Sequence, residues 1–165
     1  MLPASVLVLA ALLAIAAWRD VLIRTIPDWI ALAIAGISLG VRSTLGWTPL
    51  LHSAAVAALL FAFLLFLAIR GWLGGGDVKL AAALALGLPP AVTWDFMAAT
   101  VLVGGVLGCF YLFGRRFTPH LRLAGRMHPV TRILTIEARR LRRGGPLPYG
   151  VAIAAGGIFV LLAGY

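Results

Sequence analysis

The chain has 165 residues, 62% of them hydrophobic and 12% charged, with a formal net charge of +9. A soluble domain of this size needs a far more polar surface, so the composition points to one polytopic membrane domain over residues 1–165. The basic residues lie in short loops between apolar runs, which explains them as topology signals and argues against a nucleic-acid partner.

Six apolar runs are predicted to form helices, at about 2–18, 29–46, 50–69, 79–94, 96–114 and 147–164. The fold class is therefore all-α, with about six transmembrane helices. The first run has no Lys or Arg before it and Arg19 and Arg24 after it, a charge order that favours a retained span over a cleaved signal peptide. Between the first two runs, residues 20–27 read as a short re-entry, and Pro27 suits the first turn of the second helix. The fourth run carries Gly87, Pro89 and Pro90, so its helix is expected to end near Leu88. Cys109 is the only cysteine and sits inside the fifth run, where a small packing residue is expected; no intrachain disulfide can form. The three histidines are scattered and no Cys-x-x-Cys pair occurs, so neither a metal site nor a cofactor is expected.

Loop charge fixes an orientation. The loops after the first, third and fifth runs hold thirteen of the fourteen Lys and Arg residues, nine of them in residues 115–146. The loop after the second run holds only Arg42. Odd-to-even loops are then cytoplasmic and both termini lie outside. Within the long basic loop, HPVTRILTIEARRLRR could form a helix lying in the anionic headgroup region, or a lid that contacts substrate.

Only five carboxylates occur, and this topology puts Asp20 and Asp77 on the same, cytoplasmic, side. Ionisable groups at the mouths of spans are functional candidates by default. Two carboxylates that meet can share a proton and carry out acid–base chemistry. Asp77 follows Gly74-Gly75-Gly76, whose glycines allow close backbone approach to a catalytic acid; as a structural residue, Asp77 would be a helix N-cap. For Asp20 the structural alternative is a surface charge neutralised by Arg19 or Arg24. Asp28 reads as a first-turn residue that favours the helix dipole. Lys79 either orients and partly neutralises the aspartates or serves as a topological charge. Tyr149 and Gly150 open the last run, as an interfacial anchor or as a helix start packed against the site.

Three blocks together resemble the prepilin peptidases, the Gly-x-Gly-Asp membrane aspartyl proteases of type IV pilin systems. They are Asp20 followed by Ile26-Pro27, then Gly74-x-Gly76-Asp77-Val78-Lys79-Leu80, then Pro148-Tyr149-Gly150-x-Ala152-Ile153-Ala154. The family pattern has Asn after Ile-Pro, where this chain has Asp28. The resemblance implies a bacterial inner-membrane endopeptidase that removes a basic leader from prepilins at the cytoplasmic face, with Asp20 and Asp77 as the catalytic pair. Larger members carry an N-terminal domain with cysteine pairs and also N-methylate the new terminus. With nothing before the first span and a lone cysteine, this chain resembles the short peptidases of tight-adherence (Flp) pili, and N-methylation is not expected. The expected partners are an Flp-type prepilin and the lipid bilayer. Two other readings remain open from sequence: a small proton- or cation-coupled transporter, and an inactive pilus-assembly scaffold.

Overall fold

The structure, a computed structural model, describes residues 4–117 and 147–164. Every regular element among the described residues is an α-helix: α1 (Ala4–Ile23), α2 (Asp28–Ser43), α3 (Trp47–Ile69), α4 (Gly75–Ala85), α5 (Pro90–Phe117) and α6 (Tyr149–Ala163). By length and composition α1, α3 and residues 90–113 of α5 are apolar enough to cross a membrane, and α6 is a shorter apolar helix. Large apolar side chains such as Trp18, Leu32, Phe63 and Leu102 are exposed, as expected for a multi-pass protein whose solvent is lipid. Two compact units are formed, one by residues up to Gly104 together with those from Pro148, the other by Gly105–Leu147.

In the first unit α4 is the centre. It packs on α2, α3 and α6, while α1 lies along α6 and α2. Seven of its eleven residues are buried, among them Val78, Leu80 and Leu84. At 1.5 Å per residue α4 is about 16 Å long, roughly half the hydrocarbon thickness. Its alanines let neighbouring helices approach closely, the usual packing device where lipid removes the hydrophobic drive. The closest approach is at Gly157 of α6, where a Cβ would stand 2.5 Å from Leu84 Cδ2 and 3.0 Å from Leu13 Cδ1. Leu13, Leu84 and the fully buried Phe96 converge there.

A helix that stops half-way across a membrane leaves carbonyls that lipid cannot satisfy. At the end of α4 the following turn meets them: the Leu86, Gly87 and Leu88 N–H groups donate to the Ala82, Leu84 and Ala85 carbonyls, and the turn's own Leu88 carbonyl is met by a side chain. Ser53 Oγ donates to the Leu88 carbonyl at 2.8 Å, and Arg42 Nε donates to Ser53 Oγ at 2.8 Å. Arg42 is only 7% exposed and Ser53 0%. Arg42 lies in the last turn of α2, where a cation also suits the helix dipole.

Several boundaries differ from the sequence reading. The first helix runs past the predicted residue 18 to Ile23, so Asp20 is inside a helix and the link to α2 is only residues 24–27. The reason is a one-bond left-handed cap: Arg24 has φ +57 and its N–H donates to the Asp20 carbonyl at 3.0 Å. Glycine usually takes that conformation, and Arg24 holds it at a cost of about 1–3 kcal/mol. Pro27 is the N-cap of α2 rather than a first-turn residue, and Asp28 is in the first turn as expected. The fourth helix starts earlier and ends at Ala85, because α5 takes up Pro90 and the residues after it. Cys109 is exposed on α5 instead of packed. The predicted interfacial helix in residues 128–143 lies outside the described residues.

Candidate functional site

Asp20 projects from the last turn of α1 and is 6% exposed; Asp77 projects from the first turn of α4 and is 8% exposed. They are the two buried carboxylates among the described residues. Asp77 feels the charges of both Asp20 and Arg24, so the fold brings the two aspartates of the sequence reading into one electrostatic environment.

Each carboxylate is held by the backbone at the start of a helix. Gly150 N–H, in the first turn of α6, donates to Asp20 Oδ2 at 3.0 Å. That bond satisfies one of the amides a helix start leaves unpaired and places negative charge at the positive end of the helix. On α4 the N-cap is Gly74, which puts Asp77 at the third helical position. The Asp77 carboxylate turns back to accept from the Gly74 N–H, half of a capping box. Asp77 is therefore not the N-cap that the structural alternative supposed, although it does stabilise the helix start. Its own N–H donates to the Gly74 carbonyl at 3.1 Å.

The glycines are the space the carboxylates occupy. A Cβ on Gly150 would stand 2.9 Å from Asp20 Oδ2 and 3.0 Å from Asp20 Cβ. A Cβ on Gly74 would stand 2.9 Å from Asp77 Oδ2. Gly76 has a different duty: a Cβ there would meet Ile26 Cβ at 3.1 Å, so the start of α4 is pressed on the link that leads into α2. Gly75, between them, faces open space. The Ile26-Pro27 pair thus acts through packing, with Ile26 on the glycine run and Pro27 starting α2.

Lys79 has a partner that neither sequence reading assigned. Its Nζ lies 2.8 Å from Asp28 Oδ1, and the two side chains are 50% and 67% exposed. An exposed pair of this kind adds about 0–1 kcal/mol. Tyr149 is half-buried beside Gly150 at the first position of α6. Among the described residues no group of three His, Cys, Asp or Glu side chains could hold a metal ion.

The Gly150–Asp20 bond joins residues 130 positions apart; the reading of Tyr149 and Gly150 as a helix start packed against the site anticipated the close approach but not the hydrogen bond. The only pointer is Pro148-Tyr149-Gly150 itself, whose glycine removes the side chain at a helix start. The buried Arg42–Ser53–Leu88 chain was also missed, since a single Arg in a sparsely charged loop reads as a topology residue.

No curated protein and no solved structure matched the chain. A family profile described as the type IV leader peptidase family matches residues 7–113, more than half of the chain. That stretch contains both buried aspartates, the Ile26-Pro27 link and the Gly74–Gly76 run, while the Gly150 contact lies beyond it. With more than half of its length matched, the chain belongs to the type IV leader peptidase family.

Proposed function

We propose that this protein is a membrane-embedded aspartyl endopeptidase that removes the leader from an Flp-type prepilin at the cytoplasmic face of a bacterial inner membrane. The observation that carries this reading is the pair of buried carboxylates on α1 and α4, each fixed by a glycine amide at a helix start. Buried carboxylates with few competing cations suit a dyad that shares one proton.

In the proposed reaction the ionised carboxylate takes a proton from water as the water oxygen bonds to the scissile carbonyl carbon. The protonated partner gives its proton to the carbonyl oxygen, producing a neutral tetrahedral diol. On collapse the C–N bond breaks. The first carboxyl group gives its proton to the leaving nitrogen, and the second recovers one from the diol. The products are a carboxylic acid and an amine, and the dyad again holds one proton. The two aspartates titrate as a unit, so the roles belong to the pair.

Glycine supplies two further requirements. Gly150 and Gly74 leave the backbone N–H groups free to orient the carboxylates, and Gly75 offers an open backbone edge past which an extended substrate can run. The test is processing of a co-expressed Flp-type prepilin by the wild type, Asp20→Asn and Asp77→Asn at equal membrane levels. Shortening of the pilin by the wild type alone supports the reading. Processing by both variants would remove the dyad, and loss of a pH-coupled flux in place of cleavage would reassign the aspartates to transport.

A further inference from the structure

A groove of about 420 Å³ runs along α4 on the side away from Asp77. Its walls are three helix faces with the same spacing. On α2 the face starts at Asp28, on α3 at Ala54 and on α4 at Lys79, and each continues at the third, fourth and seventh residue beyond. Seven of the twelve wall residues are alanine, and each helix contributes two or three of them. Apart from the Lys79–Asp28 ion pair, the lining is apolar. Leu32 and Phe61 stand on the rim, 71% and 39% exposed.

We propose that this groove seats the apolar helix of the peptidase's own substrate, the membrane-inserted segment that follows the leader. The inference rests on the peptidase reading given above and adds to it where the substrate's helix lies. Three observations select this occupant. The groove's single polar end is the Lys79–Asp28 pair, so the occupant is apolar along α4 and polar where it leaves the groove. That end coincides with the start of α4, two residues from Asp77, and Ile26 packed on Gly76 fixes the starts of α2 and α4 together. Between Lys79 and the far face that carries Asp77 lies Gly75, beside which nothing stands within 4 Å. A chain leaving the groove at this end meets no side chain at Gly75, in the same first turn of α4 as Asp77. Walls built from alanine on three helices admit a helix backbone at close range, a feature that an acyl chain does not require. The half-exposed charges at the mouth offer both a carboxylate and an ammonium to the polar residues of the crossing segment.

Ala58 is exposed, so enlarging it fills the groove from the open side, while Ala35 is half-buried at the groove's floor against the core, so its variant is read only at an unchanged unfolding midpoint. The experiment compares prepilin processing by wild type, Ala35→Leu, Ala58→Leu and, as a control, Ala14→Leu on the exposed face of α1. The groove variants are expected to raise the KM for prepilin about tenfold with kcat retained, and Ala14→Leu to behave as wild type. In parallel, a photo-crosslinking residue is placed at position 58 in the Asp77→Asn protein co-expressed with prepilin. An adduct mapping to the prepilin's apolar segment is expected. Adducts confined to lipid or to a second copy of this chain, with wild-type processing by both groove variants, overturn the proposal while leaving the peptidase reading intact. A wild type that does not process prepilin at all removes the peptidase reading, and this proposal with it.

Discussion

The two ends of α4 solve opposite problems. At its start the chain is stripped to glycine, two carboxylates are held by backbone amides, and Gly75 is left open. At its finish the chain is sealed: Ser53 donates to the Leu88 carbonyl and is itself held by Arg42, and Gly87 sits so tightly on Ser38 that a Cβ would stand 2.7 Å from its hydroxyl oxygen. Asp77 lies in the first turn of α4 and Arg42 in the last turn of α2, each at the helix end its charge suits. The contrast separates the groups proposed to carry chemistry from the groups that close the end of a short, buried helix.

The comparison breaks most visibly at the carboxylates. Asp20→Asn and Asp77→Asn are each expected to lower prepilin processing by about a thousandfold or more, the effect of removing a general acid or base. Folding should survive, and thermal denaturation of the detergent-purified proteins checks that. Next in size is Gly150→Ala, whose Cβ would push Asp20 aside. Its kcat is expected to fall on the order of 100-fold, the effect of a misplaced reacting group. Gly75→Ala, which meets nothing within 4 Å, is the companion control and should keep its stability.

At the sealed end the effect belongs to stability. Arg42→Met removes a hydrogen bond from a buried cation, worth about 1.5–3 kcal/mol, and should lower the unfolding midpoint while residual activity per folded molecule stays near wild type. A loss of kcat without loss of stability would erase the division of labour between the two ends. The smallest effect is expected for Lys79→Met, which breaks an exposed ion pair and should change stability by less than about 1 kcal/mol. Its influence should appear in the KM for prepilin.

Much of this arrangement was legible in the sequence because scarcity made it so. Five carboxylates in an apolar chain single out Asp20 and Asp77, and loop charge puts them on one side. Gly87, Pro89 and Pro90 marked a break after α4, since their backbone effects are local, although the helix ends at Ala85, three residues before the expected Leu88. What was not legible depends on partners distant in sequence. Arg24 takes a glycine's conformation, which no propensity suggests, and that turn lengthens α1 past Asp20. Lys79 finds Asp28 across 51 positions, where pattern alone assigned each residue a separate duty. Arg42 looked like a stray loop charge because its partner, the Ser53 hydroxyl, belongs to another helix.

The bond between Gly150 and Asp20 also orders events in time. Asp20 and Asp77 are both made in the first half of the chain, yet the amide that holds Asp20 belongs to the last helix. During synthesis the earlier helices precede this amide, and the bond from Gly150 to Asp20 can form only once α6 docks along α1.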